Sequence, residues 1–399
     1  MLVISFCRST RSDSSSLHLY RLGMTKRGSI HTPTELTVRR QRLSSVLENH
    51  GLEAIWLARP NNFAWLTGGS NVVDRDASVG VAAAGYQRDG NFRILTDTIE
   101  ADRLRREELP DAFEVTAVDW YAASLGDGIA AESPTPAAAD FDVPGLWHLD
   151  CSACRQPLTE PDIERYRHSA GETAAAVEDV CRSLSSDQSE RSVAASVRHA
   201  LETRGIATPV VLVGGSERAQ QYRHYTPTTA ALGDYALVSV TAQLGGLYAS
   251  LTRTVVFERP EWLDERFEAA ATVEATALAA TQRAARDGAN AARVFEAIKG
   301  AYETVGWAEE WQQHHQGGAA GFAGREWIAT PDSTATVQTP QAYAWTPTVQ
   351  GPKSEGTVLV TSECVEPLTI TSSWPTISAS AVESTARDWQ IERPAPLAI

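Results

Sequence analysis

The stretch GDYALVSVTAQLGGLYASLTRT, residues 233–254, has the pattern of a β-hairpin. An apolar run leads to Gly245 and Gly246, and a second apolar run ends in Thr-Arg-Thr. Paired glycines between two strand-like runs favour a two-residue turn, because glycine readily adopts the positive φ that such a turn needs. Ser239 and Ser250 stand in the two predicted strands. The stretch therefore predicts an antiparallel hairpin that carries one serine in each strand.

Helix and strand patterns alternate on both sides of this hairpin. Helical patterns are found at residues 32–51, 98–109, from near Pro161 through 184, and at 192–205, 261–288 and 290–306. Strand patterns are found at residues 53–58, 79–85, 92–97 and 209–215 and in much of the C-terminal part of the chain. Two segments, 59–69 and 125–145, are predicted as loops. The order of the elements predicts an α/β (α+β) fold in which helices flank a sheet.

The composition is that of a large, acidic protein. The chain has 399 residues, of which 43% are hydrophobic, enough for a sizeable core and two domains. Its formal net charge of −15 argues against nucleic acid and against an anionic membrane surface as partners. Lysine occurs only at Lys26, Lys299 and Lys353, and arginine supplies the other positive charges. Excess acid with scarce lysine favours a halophilic source, although a GC-rich genome would give the same bias.

The cysteines do not indicate a disulfide framework. Five of them are scattered along the chain, and a protein of this size does not need such a framework to fold. Cys151 and Cys154 have the C-x-x-C spacing of metal or redox motifs, but no second Cys or His pair follows at zinc spacing. We interpret both as ordinary thiols.

The N-terminal segment shows no pattern of a folded or targeting element. Residues 1–33 are predicted as a disordered tail by their composition, and Met24 is a candidate for the true start. MLVISFC is too short for the apolar region of a signal peptide. No apolar run approaches the roughly 18 residues of a spanning helix. We therefore expect a cytoplasmic protein with no membrane partner.

Several blocks, in their order along the chain, resemble one known family. They include LENHGLEAIWLARPNNFAWLTGG (residues 47–69), LTEPDIERYRHSAG (158–171) and ARDGANAARVFEAIKGAYETVGW (285–307), together with the hairpin. In these blocks the chain resembles the peptidase M24 family, which includes aminopeptidase P, prolidase, methionine aminopeptidase and creatinase. The resemblance implies a creatinase-type N-terminal domain at residues 34–153, followed by a pita-bread domain at 154–399. It also implies a homodimer.

The resemblance also indicates where a metal centre would lie. The metal enzymes of the family hold two divalent ions with two aspartates, one histidine and two glutamates. The aspartates fall on Ser239 and Ser250, the histidine on Gly318, and the glutamates on Thr346 and Glu355. Two close dications need carboxylates to offset their charge, and neutral hydroxyls are poor ligands for hard cations. We therefore expect no dinuclear metal centre and no other cofactor.

Two further histidines precede Gly318, in HHQGGAAG. His314 and His315 are adjacent, and neighbouring residues on a strand point to opposite faces of a sheet. A different metal site held by His314 and His315 is the alternative, but two side chains that point to opposite faces rarely bind one ion together.

Creatinase, a branch of the family that works without metal, shares several of these departures. It too has serine at the position of Ser239, and it too lacks the second aspartate. It shares the Gly-Arg-Glu found here as Gly324-Arg325-Glu326, and it keeps the last glutamate, here Glu355. The resemblance therefore favours the metal-independent branch.

The same resemblance implies roles for five side chains, each with an alternative. His224 would carry protons, or would be a structural or surface histidine. Glu355 would orient His224 or bind a cationic substrate group, or would be a remaining ion-pair partner. Arg325, with Glu326 beside it, would bind a substrate carboxylate, or the two would form a salt bridge. Arg75 would bind a carboxylate across the dimer, or would be a solvated charge.

The expected function follows from these residues. Creatinase has acidic residues at the positions of Thr252 and Thr346, so we expect a substrate less cationic than creatine. We expect a metal-independent hydrolase that cleaves a C–N bond in a small molecule or short peptide with a free carboxylate. The alternatives are a catalytically silent binding or scaffold protein and a metal-dependent Xaa-Pro aminopeptidase. Convergence of His224, Arg325 and Glu355 in one place would favour an enzyme or a ligand-binding protein.

Overall fold

The computed structural model describes residues 33–382 and 385–399. The predicted tail lies outside the described residues except for residue 33, and so do Cys7 and Met24. The described chain forms two compact units that divide between Gln156 and Pro157. Within these residues, no helix combines the length and apolar character needed to cross a membrane.

The first unit, residues 33–156, is built on a six-stranded sheet. Its helical elements are α1 (Pro33–His50), α2 (Pro60–Thr67), α3 (Ala101–Arg103), a π-helical turn (Leu104–Glu108), α4 (Leu125–Glu132) and a 3₁₀ turn (Ser152–Arg155). Its strands are β1 (Ala54–Leu57), β2 (Ala82–Gln87), β3 (Phe92–Asp97), β4 (Glu114–Val118), β5 (Ala137–Ala139) and β6 (Trp147–His148). The strand order is β4-β3-β2-β1-β5-β6. Strand β2 is antiparallel to both of its neighbours, and the other pairs are parallel.

Two helices of this unit lie in segments that the sequence predicted as loops. Helix α2 begins at Pro60, which is tolerated in a first turn because its missing N–H has no intrahelical partner there, and Gly68 ends it with a φ of 78°. Helix α4 begins after Ser124, whose side chain accepts a hydrogen bond from the first turn. The loop predictions for residues 59–69 and 125–145 are therefore wrong over these helices, and the second also contains strand β5.

The second unit, residues 157–399, is built on a nine-stranded sheet. Its helical elements are α5 (Glu160–Cys181), α6 (Glu190–Glu202), α7 (Ser216–Gln221), α8 (Leu263–Asp287), α9 (Ala291–Thr304) and a 3₁₀ turn (Glu310–Gln313). Its strands are β7 (Ala207–Gly215), β8 (Tyr235–Leu244), β9 (Leu247–Val256), β10 (Gly317–Ala320), β11 (Trp327–Ile328), β12 (Gln341–Trp345), β13 (Gly356–Val360), β14 (Val365–Pro367), β15 (Thr376–Ser380), β16 (Gln390–Pro394) and β17 (Leu397–Ala398). The main strand order is β11-β10-β12-β13-β9-β8-β7, with β14 beside β13 and β17 beside β9. Strands β15 and β16 form a separate pair.

Helices bury this sheet through two apolar clusters. Helices α8 and α9 pack with β10, β12 and β13, and helices α5 and α6 pack with β7, β8 and β9. Two fully buried ion pairs join helix to strand: Arg253 on β9 pairs with Glu178 on α5, and Arg393 on β16 pairs with Glu274 on α8. Each buried charge therefore has an opposite charge in contact, as the low dielectric of a core requires.

The hairpin predicted at residues 233–254 is confirmed. Strands β8 and β9 pair from Tyr235 opposite Val256 to Leu244 opposite Leu247. Gly245 and Gly246 between them form the two-residue turn. Both glycines of the turn have positive φ, 58° and 82°. The primed turn that these angles form matches the twist of the two strands.

Candidate functional site

The five positions where the resemblance would place metal ligands lie on adjacent strands of the second unit. Ser239 is on β8, Ser250 on β9 and Gly318 on β10, whereas Thr346 directly follows β12 and Glu355 directly precedes β13. These strands are consecutive in the sheet, in the order β10-β12-β13-β9-β8. The fold thus gathers all five positions on one region of the sheet.

A chain of hydroxyl hydrogen bonds runs through this region to Glu355. The hydroxyl of Thr252 donates to Oε2 of Glu355 at 2.6 Å, and it lies 2.7 Å from Oγ of Ser239, which lies 2.7 Å from the hydroxyl of Tyr225. A hydroxyl has one proton, so Thr252 accepts from Ser239, and Ser239 accepts from Tyr225. Burial raises the pKa of Tyr225 and keeps it a donor. The hydroxyls of Tyr225, Ser239 and Thr252 therefore all donate in one direction along the chain, towards the carboxylate of Glu355.

Glu355 is held between two cations, and we call Glu355, Lys353 and Arg325 the charged cluster. Nζ of Lys353 lies 2.9 Å from Oε2 of Glu355, and a guanidinium nitrogen of Arg325 lies 3.3 Å from its Oε1. Arg325 also donates to Oγ of Ser250 at 3.2 Å. Burial would raise the pKa of Glu355, but the charges of Lys353 and Arg325 and the hydrogen bond from Thr252 lower it to about 2. Glu355 therefore stays ionised near neutral pH, and both of its oxygens are occupied.

Gly318 has no room for a side chain. Strand β10 pairs with β11 here, and a Cβ added to Gly318 would lie 2.1 Å from the carbonyl oxygen of Trp327. Such a distance is far inside van der Waals contact, so the backbone would have to move before any side chain fitted. A histidine ligand at this position is incompatible with this backbone.

His224, His314 and His315 lie together, and we call them the histidine cluster. One nitrogen from each ring can be chosen so that all three lie within 4.8 Å of one another, and Nε2 of His224 is 3.2 Å from Nε2 of His314. The rings of His314 and His315 are stacked, with centroids 4.2 Å apart. The expectation that these two side chains diverge is therefore wrong. They precede β10, which begins at Gly317, so the alternation of a strand does not apply to them.

Thr346 sets the tautomer of His314. The hydroxyl of Thr346 donates its proton to the carbonyl oxygen of His315 at 3.0 Å, so it can only accept from Nδ1 of His314 at 3.4 Å. His314 then carries its proton on Nδ1 and presents a lone pair on Nε2 to His224. His224 in turn donates from Nε2, which leaves the lone pair of its neutral ring on Nδ1.

The two clusters are electrostatic neighbours. Burial is the first cause that lowers the pKa of His314, to about 3, and the charge of Lys353 lowers it further. Desolvation by neighbouring groups likewise lowers the pKa of His315, to about 4, although the residue as a whole is still exposed, and the charge of Arg325 is the next cause. Both imidazoles are therefore neutral near pH 7. His224 and His315 are exposed, whereas His314 is partly buried.

Three side chains that the sequence singled out fall into two groups: His224 belongs to the histidine cluster, and Glu355 and Arg325 belong to the charged cluster. His224 contacts His314, and the charges of the charged cluster act on His314 and His315. Glu326 is half-buried beside Arg325. Arg75 lies in the first unit, exposed, in the loop between α2 and β2, and its role stays a prediction.

Lys353 is the main side chain of the site that sequence reasoning missed. It is one of only three lysines in the chain, and it stands two positions before Glu355. Residues two apart in an extended segment point the same way. The spacing of Lys353 and Glu355 therefore could have predicted an ion pair between them.

The two described cavities lie elsewhere in the second unit. One, of about 460 Å³, is lined by residues that include Arg223, Trp307 and Glu310. The other, of about 370 Å³, is lined by residues that include Glu160 and Arg167. Neither is lined by a residue of the histidine or charged cluster. The two clusters thus lie outside both cavities.

Two protein-family models match the chain. The model of metallopeptidase family M24 matches residues 164–363, and that of the creatinase/prolidase N-terminal domain matches residues 39–143. The chain belongs to metallopeptidase family M24. It carries the family's creatinase-type N-terminal domain, followed by the pita-bread domain. None of the curated proteins compared with the chain matches it.

Solved structures similar to this M24 protein share its fold across most of its length. A prolidase from Pyrococcus horikoshii OT3 is 16% identical, with a TM-score of 0.68, and the match covers 84% of this chain and 98% of that one. A Bacillus anthracis Xaa-Pro dipeptidase is 15% identical with the same TM-score and coverage. The N-terminal domain of the FACT complex subunit SPT16 from chickpea is 12% identical, with a TM-score of 0.62, over 88% of this chain and 99% of that one. At such identities the likeness concerns the fold alone.

Proposed function

We propose that this M24 protein is a hydrolase that works without the dinuclear metal centre and cleaves a C–N bond in a small, carboxylate-bearing molecule or short peptide. The observation that carries the proposal is the charged cluster. Lys353 and Arg325 hold both oxygens of Glu355, the one carboxylate left among the five ligand positions. With Gly318 unable to bear a side chain, these residues do not fit a pair of hard dications.

The charge of the site favours an anionic substrate group. Two cations against one carboxylate leave the charged cluster with a net charge of about +1, counting Lys353, Arg325 and Glu355 as ionised. Nε of Arg325 is a buried donor that has no hydrogen-bond partner. An unpaired buried donor is costly, and a substrate carboxylate that reached this nitrogen would remove the cost. Arg325 would then anchor the substrate.

His224 supplies the proton chemistry in this proposal. Its ring is exposed, and its Nε2–H donates to His314, so Nδ1 is free to take a proton from an attacking water. The same Nδ1–H would then protonate the leaving nitrogen. His314 keeps the ring of His224 in this tautomer and orientation, and the low pKa of His314 keeps the two rings from exchanging roles.

The test is a hydrolysis screen of dipeptides and N-acyl amino acids in the presence of a chelator. We expect turnover that the chelator does not remove, and a loss of at least about 100-fold with His224→Ala, as for removal of a general base. His199→Ala is the matched control, because His199 is an exposed histidine on α6, away from the site residues in sequence. Restoration of activity by added Mn²⁺ alone would contradict the proposal and favour the Xaa-Pro aminopeptidase alternative. Equal rates for His224→Ala and the wild type would remove His224 from the mechanism.

A silent binding protein is the second candidate. The observation that favours it is that neither described cavity includes the two clusters. Under this alternative, the same panel would give saturable binding by calorimetry with no product, and Arg325→Met would abolish the binding.

We also propose a homodimer, in which Arg75 of one subunit would serve the site of the other. Sedimentation equilibrium tests the dimer. If it forms, Arg75→Ala should raise KM in the screen above without changing the mass of the assembly.

A further inference from the structure

The spacing of the histidine cluster is close to that of a metal site with nitrogen ligands. Zinc binds imidazole nitrogens at about 2.0–2.1 Å, and tetrahedral angles then place two such nitrogens about 3.4 Å apart. Nε2 of His224 and Nε2 of His314 are 3.2 Å apart, already at this spacing. With His315, all three nitrogens lie within 4.8 Å of one another. A movement of the exposed His315 ring by about an ångström would complete three corners of a tetrahedron.

We propose that His224, His314 and His315 bind one transition-metal ion of borderline softness, Zn²⁺ or Ni²⁺, at a site distinct from the five ligand positions of the dinuclear M24 enzymes. The three rings come from two separate segments, the turn before β8 and the segment before β10, so the fold rather than local sequence assembles them. Three protein ligands leave a fourth position open to water, because His224 and His315 are exposed.

Outer contacts orient the ligands of this site. The hydroxyl of Thr346 accepts from Nδ1–H of His314 and donates to the backbone of His315. Such a contact directs the Nε2 lone pair of His314 towards the cluster, as outer partners commonly do for metal-binding histidines.

The neighbouring charges determine which ions the site accepts. Lys353 and Arg325 repel any dication, and Glu355 offsets only one of them. Hard cations such as Mn²⁺ and Mg²⁺ rely on carboxylate oxygens, which are absent from this ligand set. Zn²⁺ and Ni²⁺ bind neutral imidazole strongly enough to tolerate the repulsion. Selectivity for them over Mn²⁺ is therefore expected.

A bound ion would also act on the proposed reaction, and this consequence rests on the proposed function. An ion on Nε2 of His224 replaces the proton there, and the neutral ring then carries its one proton on Nδ1. Nδ1 is the atom that would accept a proton from water. Zinc would therefore inhibit the hydrolase rather than activate it.

The test is calorimetric titration of the full-length protein with ZnCl₂, NiCl₂ and MnCl₂ in the absence of substrate. We expect one Zn²⁺ per chain, at least about 10-fold weaker binding with His315→Ala or His224→Ala, and no Mn²⁺ uptake at the same concentrations. His199→Ala is the control and should bind as the wild type does. Because His315 and His224 are exposed, these variants should fold, and thermal melting checks this.

Specific outcomes would overturn the proposal. Two Zn²⁺ per chain, Mn²⁺ uptake equal to that of Zn²⁺, or unchanged Zn²⁺ affinity in the triple variant H224A/H314A/H315A would each do so. Visible absorption by Co²⁺ in the wild type, lost in the triple variant, would independently report nitrogen ligation. Since binding is measured without substrate, a failed hydrolysis screen leaves this result intact, and a failed titration leaves the hydrolase proposal standing.

Discussion

Lys353 is as buried as the carboxylate that it faces, Glu355. Both side chains are 6% exposed, and Arg325 is the other cation on Glu355. Removing one partner of a buried ion pair costs more than the pair itself contributes, because it leaves a desolvated charge behind. The stability of this region therefore depends on all three charges being present together.

We expect Lys353→Met to lower the free energy of unfolding by about 3–5 kcal/mol, the scale found for breaking buried pairs. Lys299→Met is the matched control, because Lys299 forms a solvent-exposed pair with Glu296 on α9. That pair should contribute less than about 1 kcal/mol. Urea denaturation of both variants measures the difference, and equal effects would contradict a structural role for Lys353.

At this scale, sequence reasoning singled out two members of the charged cluster, whose roles stay predictions. Glu355 was recognisable because its block resembles the last ligand motif, and Arg325 because of Gly-Arg-Glu. The stacking of His314 on His315 was not predictable, because it depends on where β10 begins. The orientation of Thr346 was hidden for the same reason, since its hydrogen bonds involve that segment.

Among the elements, strands were predicted more reliably than short helices. The hairpin of β8 and β9 was readable because its turn chemistry is local. Helix α4 was missed because Gly126 and Gly128 lower helix propensity. An added Cβ on Gly128 would lie 3.0 Å from a methyl carbon of Leu95 on β3, so close packing against the sheet explains this glycine. Helix α4 therefore depends on tertiary packing against the sheet, which a single sequence does not show.

Two glycine substitutions should have opposite effects on the second unit. Gly318→Ala places a methyl group against the carbonyl oxygen of Trp327, so we expect a loss of stability of about 3 kcal/mol or more, at or above the upper end of the range for overpacking. Gly300→Ala lies within α9 with no atom within 4 Å of the new Cβ, so we expect a gain of about 0.5–1 kcal/mol. Thermal denaturation of both variants gives the signs. A tolerated Gly318→Ala would show that β10 and β11 separate readily.

For the whole molecule, the buried thiol and phenol groups make the folded state more stable at neutral pH than at alkaline pH. Burial is the main cause that raises the pKa of Cys181, to about 12. Burial also raises the pKa of five tyrosines, namely Tyr166, Tyr225, Tyr235, Tyr302 and Tyr343. These groups stay protonated in the folded state at a pH where they ionise in the unfolded chain.

We therefore expect the free energy of unfolding to fall as pH rises from about 9 through 11, because the unfolded state then binds fewer protons than the folded one. Urea denaturation at pH 8, 9, 10 and 11 measures the fall. Cys181→Ala should make the decline shallower while lowering the stability at pH 8 by leaving a small cavity. A stability that is constant over this range would mean that these groups ionise equally well in the folded protein.

The acidic surface and the source of the protein belong to the same scale. The net charge of −15 predicts a preference for salt, and the halophilic source stays a prediction. The same holds for the cytoplasmic location. Composition limits such properties without fixing them, whereas the fold followed from local patterns and from the order of blocks along the chain.

The close approach of Gly318 to Trp327 limits how this position can vary during evolution. Any codon change there that adds a side chain meets the carbonyl oxygen of a neighbouring strand, whatever the chemistry of the new residue. Because glycine and histidine codons differ at two bases or more, stepwise mutation towards histidine would pass through a poorly folded protein unless β11 had shifted first. A library randomised at this codon alone and selected only for folding should therefore return glycine, and recovery of a ligand here requires paired changes in the strand opposite.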